Sequence, residues 1–188
     1  ADESANPAFI AADFLSQAEH GVDSQAMLVT ASESIVEPVM QAIREQLDRL
    51  PRKEITEKSL SHSRLIVLKD KQEVIDFTNL YAPEHLIIQT TDYADIAGLV
   101  ENAGSVFMGP YTPESAGDYA SGTNHTLPTN GYAKAYSGVN LDSFIKKITF
   151  QEITADGIRL LGGTIRTMAA NEQLDAHKNA VTIRLNTL

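Results

Sequence analysis

Short apolar runs alternate with amphipathic stretches along the first two thirds of the chain, and that rhythm limits the fold more than any other feature. Ala26–Thr30, Arg64–Leu68, Leu86–Gln89 and Ser105–Met108 are each four or five residues long, the length of a buried parallel strand. Helical stretches separate them. Val36, Val39, Met40, Ile43 and Leu47 recur at helical spacing, predicting a helix from Ser34 to Leu50 that Pro51 stops. Further helices are expected over Lys71–Leu80 behind Asp70 and over Thr91–Ala103. Strand alternating with helix predicts an α/β fold with a mostly parallel sheet and flanking helices, Rossmann-like but incomplete because it has so few strands. The chain accordingly reads as the carboxyl-terminal part of something longer.

The first helix is written locally. Asn6-Pro7 is an N-cap followed by proline at the first helical position, Phe9, Ile10, Phe14 and Leu15 form its apolar stripe, and Gly21 predicts an end at His20. From Gly109 to Gly138 the pattern dissolves into Gly, Pro, Ser, Thr, Asn and Tyr. So long a connector in a compact domain is usually functional. A short Ile148–Ile153 strand should follow, then helices over Gly157–Ala169 and Asn171–Leu185. Residues 1–140 thus read as a partial α/β domain with a site loop, and residues 141–188 as a small helical appendage.

Charge and composition remove whole classes of function. Fifteen Lys and Arg against 25 Asp and Glu leave a net charge of −10, so no basic stripe is available for nucleic acid or anionic lipid. No apolar run approaches the roughly 20 residues of a membrane helix. With no cysteine, disulfides, thiolate metal sites and thiol nucleophiles drop out. No charged segment leading into an apolar run precedes the first helix, so a retained secretory signal is not expected.

Chemistry must then come from the histidines and their neighbours. Gln17 and His20 are three apart and share one helical turn at the negative end of the helix dipole, a place for a cation or simply for a solvated turn. Glu84 and His85 open an apolar strand, where partial burial tunes a carboxylate and an imidazole for proton transfer; an exposed turn is the bland alternative. Around Asp118 and His125 small residues let a ligand approach the backbone, and the pair offers a hard oxygen and a nitrogen to a metal or a substrate ammonium; a flexible surface loop is the bland alternative. Glu172 and His177 are five apart, a poor spacing for a shared site, and by spacing alone read as a solvated helix face. Gly117, Gly122 and Gly131 form no dinucleotide fingerprint, which needs a strand before and a helix after. His62, between two serines, reads as surface.

Taken together, Ser16-Gln17-Ala18-Glu19-His20-Gly21, Ala82-Pro83-Glu84-His85-Leu86, the run Glu114–His125 and Ala176-His177-Lys178-Asn179-Ala180 resemble the carboxyl-terminal portion of histidinol dehydrogenase. The resemblance covers essentially the whole chain. It implies zinc bound by Gln17, His20, Asp118 and His177, an acid/base pair in Glu84 and His85, and substrate contacts from His125 and Glu172, shared with His85 and the metal ligands. It implies a cytoplasmic homodimer that oxidises L-histidinol through an aldehyde to L-histidine with two NAD. In such a dimer the segment bearing Glu172 and His177 completes the partner's site. It further implies that the NAD contacts and a substrate-binding serine lie outside this chain, which alone would not complete the reaction. A non-catalytic metal-binding or dimerisation module, and a zinc hydrolase using Glu84, are the competing expectations.

Overall fold

Asn6 is extended, and its side chain accepts the Ala8 N–H, so helix α1 (Pro7–Ala18) starts where the Asn-Pro pair directs. It ends two residues before the expected His20. Gly21 is not left-handed, and the chain turns off instead through a tightened bond from the His20 N–H to the Gln17 carbonyl, 3.4 Å. Gln17 therefore stands in the last helical turn and His20 just beyond it. The computed structural model describes residues 1–188 as two units, residues 1–144 and 145–188.

In the first unit α1 buries Ile10, Phe14 and Leu15 against Leu28, Ile35, Val39 and Ile43, the main core. Truncating one such side chain to Ala costs about 2–5 kcal/mol. Helix α2 (Val36–Leu47) supplies Val39 and Ile43, and is shorter than the expected Ser34–Leu50 because Glu33–Ile35 form a separate 3-10 turn. A helix with no apolar stripe follows, α3 (Lys53–Leu60). It buries Thr56 and Ser59, whose hydroxyls donate to the carbonyls of Arg52 (3.1 Å) and Ser24 (2.9 Å).

Four strands form, each within one residue of expectation at either end: β1 (Met27–Thr30), β2 (Arg64–Val67), β3 (His85–Ile88) and β4 (Ser105–Met108). All pairing is parallel, but the strands make two separate ladders, β1–β2 and β3–β4, rather than one sheet. Strand β3 begins one residue early, so His85 is its first residue and stands opposite Ser105.

Between the ladders runs α4 (Lys71–Tyr81), capped by Asp70, whose Oδ1 accepts the Glu73 N–H at 3.0 Å. It closes on Ala82 at φ 55°, a left-handed turn on a buried non-glycine residue that swings the chain into Pro83-Glu84-His85. Thr91–Ala103 yields only α5 (Tyr93–Ala97). Beyond it Asn79 takes the backbone: Oδ1 accepts the Glu101 and Asn102 N–H groups (2.8 and 3.3 Å), and Nδ2 donates to the Leu99 carbonyl (3.0 Å). These groups can no longer serve a helix. The polar stretch after β4 is not all loop either, for Glu114–Tyr119 form α6.

The second unit is a helical hairpin of α7 (Ala155–Asn171), capped by the Thr154 hydroxyl on the Gly157 N–H, and α8 (Asp175–Leu185). The turn passes through Gln173 at φ 61°. Ile148–Ile153 is not a strand; it finds no ladder, and Phe150 is 91% exposed. No helix is long and apolar enough to cross a membrane.

Candidate active site

Three elements of the first unit converge on one polar cavity of about 310 Å³. The end of α1 brings Gln17 and His20, the start of β3 brings Glu84 and His85, and α6 with the loop behind it brings Glu114, Asp118 and His125. Six residues singled out from sequence, far apart in the chain, thus share one cavity wall. The remaining two, Glu172 and His177, belong to the second unit: Glu172 is the C-cap of α7, and His177 is an exposed residue in the first turn of α8.

Local structure explains each placement. Glu114 and Asp118 are four apart on α6, so one helix face presents two carboxylates. Gly117 lets that helix sit on β4, because a Cβ there would lie 2.7 Å from Cε1 of Phe107. Phe107 also flanks His85, ring centroids 6.0 Å apart. Gly104 does the same for Glu84: a Cβ would come within 2.5 Å of the Glu84 carbonyl oxygen, which accepts the Ser105 N–H.

His85 Nε2 lies 3.6 Å from Glu114 Oε1, and His125 Nδ1 lies 4.0 Å from Asp118 Oδ1. Burial pushes the His85 pKa below its usual value, against the opposing charges of Glu84 and Asp118 and with help from His20. Burial thus favours the neutral imidazole, the form able to accept a proton. Glu114 is only 3% exposed, and burial, then the neighbouring Asp118, raises its pKa; His20 and the Gln17 amide act in the opposite direction. Sequence reasoning missed Glu114. The one available signal was its i, i+4 spacing to Asp118, hidden because the Gly- and Ser-rich stretch does not read as helix.

The donor set suits a divalent cation. Ligand atoms of His85, Glu114 and Asp118 lie within 4.8 Å of one another, and Gln17 and His20 line the same cavity. Two buried polar atoms facing this region, Gln17 Nε2 and Glu114 Oε1, form no hydrogen bond. Closely placed carboxylates with unspent acceptors are what a bound cation relieves.

An α/β unit that gathers imidazoles, carboxylates and an amide around a cavity has the makings of a cation-dependent acid–base site. The chain belongs to the histidinol dehydrogenase family, whose model matches residues 1–185. It is 68% identical over 188 residues to histidinol dehydrogenase of Bacteroides thetaiotaomicron and 57% identical over 189 residues to the chloroplastic histidinol dehydrogenase of Arabidopsis thaliana. The whole chain is covered in both cases, but only 44% and 41% of those relatives, so it spans less than half their length. A crystal structure of histidinol dehydrogenase from Elizabethkingia anophelis matches with a TM-score of 0.94 at 56% identity, covering all of this chain and 43% of that one.

Proposed function

We propose that this chain is the site-bearing portion of an enzyme that oxidises L-histidinol to L-histidine in two NAD-dependent steps through the aldehyde. The convergence of Gln17, His20, Glu84, His85, Asp118 and His125 on one cavity carries the reading. Gln17, His20 and Asp118, with His177, hold a zinc ion, and His125 and Glu172 contact the substrate. When bound, zinc supplies a fixed charge that orients the substrate's nitrogens, and NAD supplies the hydride acceptor.

The chain's own residues manage protons. Neutral His85 accepts the hydroxyl proton as the alcohol becomes the aldehyde. Glu84, the residue just before β3, takes a proton from water as that water adds to the aldehyde carbon. The anionic hydrate so formed gives up the one hydrogen remaining on that carbon as hydride, the second of the reaction, and its hydroxyl proton, leaving the carboxylate of histidine. No thiol is required: hydration, rather than a thiohemiacetal, prepares the second oxidation. We read the first unit as part of a Rossmann-like sheet, and the enzyme as a cytoplasmic homodimer in which residues 141–188 complete the site of a second copy.

The test joins this chain to the remainder of a family polypeptide and supplies histidinol, zinc and NAD. Two NADH formed per histidinol consumed supports the reading. No NADH, or hydrolytic activity without nicotinamide, overturns it.

A further inference from the structure

An amide that ligates a metal must do so through its oxygen, since the nitrogen lone pair is delocalised and the NH2 group only donates. Before the metal arrives either end of the Gln17 amide can face its site, so an acceptor for the NH2 group pre-orients the oxygen. Gln17 Nε2 is buried and unpartnered. So is Glu114 Oε1, on a carboxylate that lines the same cavity and is 3% exposed. The two atoms are a donor and an acceptor of matching chemistry. Burying an unpaired carboxylate costs several kcal/mol, so stability alone does not account for an acid at this position.

We propose that Glu114 is a positioning residue: its carboxylate holds the amide nitrogen of Gln17 so that Gln17 Oε1 faces the metal. The inference rests on the zinc reading above. Helix α6 then divides the work between two carboxylates one turn apart, Asp118 toward the metal and Glu114 toward the ligand's far end. Partners of this kind, one bond removed from a metal, are worth about 10–100-fold in affinity.

The experiment measures zinc affinity by competition with a chromophoric chelator, in the full-length protein carrying this chain. It compares wild type, Glu114→Gln and the swap Gln17→Glu/Glu114→Gln, with thermal unfolding of each metal-free form. Glu114→Gln offers Gln17 no charged acceptor and should weaken zinc about 10–100-fold. Metal-free, it should unfold no lower than wild type, because a buried charge has gone; a merely structural role predicts the reverse. The swap rebuilds an acceptor facing a donor, with a carboxylate oxygen now on the metal, and should restore wild-type affinity or better. Wild-type affinity in Glu114→Gln, a lowered metal-free unfolding temperature, or a swap no better than the single variant overturns the proposal. The last of these is what direct metal ligation by Glu114 would give. A wild type that binds no zinc fails the zinc reading itself, and this inference with it.

Discussion

His85 Nε2 stands 3.6 Å from Glu114 Oε1, beyond hydrogen-bond reach yet with both side chains largely shielded from water. The imidazole therefore sees the acid without being locked to it, and burial favours its neutral form. Replacing His85 with Asn in the full-length protein keeps a polar side chain and removes the proposed base. Turnover should fall about 10²–10⁴-fold with KM for histidinol nearly unchanged, as initial rates of NADH formation will show. Unchanged turnover would refute the base assignment.

Gly117 is the point at which α6 touches β4. A methyl group there lies 2.7 Å from Cε1 and 3.0 Å from Cζ of Phe107, so the helix must lift, taking Glu114 and Asp118 with it. Gly117→Ala should cost about 1–3 kcal/mol in urea unfolding and also weaken zinc binding. Shrinking the obstacle supplies the control: in a Gly117→Ala/Phe107→Leu double variant the two losses should be less than additive. Full additivity would place the strain elsewhere.

Those contacts also mark what the sequence could and could not disclose. All four strands were legible because each is an apolar run with its own end signals, and Asn6-Pro7 and Asp70 capped helices as local chemistry dictates. Helix α3 was not, since its buried face is Thr56 and Ser59 held by hydroxyl bonds rather than apolar area. Helix α5 was overextended because the group that ends it, Asn79, lies some 20 residues earlier in the chain. The split into two ladders is a matter of long-range pairing, which no local pattern encodes. In the site, helical spacing singled out Gln17 and His20, residue type alone singled out Glu84, His85, Asp118 and His125 as candidates, and the roles came only with the family resemblance. Glu114 escaped, because the Gly- and Ser-rich stretch that carries it does not read as the helix it forms, and nothing local marks it as buried.

Asp13 lies one turn before Gln17 on α1 and accepts a bond from Gln89 Nε2 at 2.6 Å. Burial, outweighing that bond, pushes its pKa up to about 6 from 3.8, and the charge of Glu114 adds to the rise. The folded state therefore binds the proton more tightly than the unfolded chain does. Asp13's contribution is most favourable below pH 3.8 and declines as pH rises through about 6. Asp13→Asn keeps an acceptor for Gln89 without the charge. Its urea midpoint should match wild type near pH 4 and exceed it above pH 6, with the gain reduced by the partial solvent exposure of the site. A gain that is the same at both pH values would show that charge is not the cause.

Adjacent glycines in α7 should respond oppositely to the same substitution. At Gly163 an added Cβ meets nothing within 4 Å, so Gly163→Ala removes a helix-interior glycine at no steric cost and should stabilise the hairpin by up to about 1 kcal/mol. At Gly162 the same methyl lies 2.8 Å from Leu185 Cδ1 and 3.3 Å from its Cγ and Cδ2, so the Leu185 side chain that packs α8 on α7 must shift. The propensity gain is then outweighed by overpacking of about 1–3 kcal/mol. Amide hydrogen exchange reads this locally: protection across α7 and α8 should rise in Gly163→Ala and fall in Gly162→Ala. Equal responses would mean that Gly162 and Leu185 do not form the contact joining the two helices.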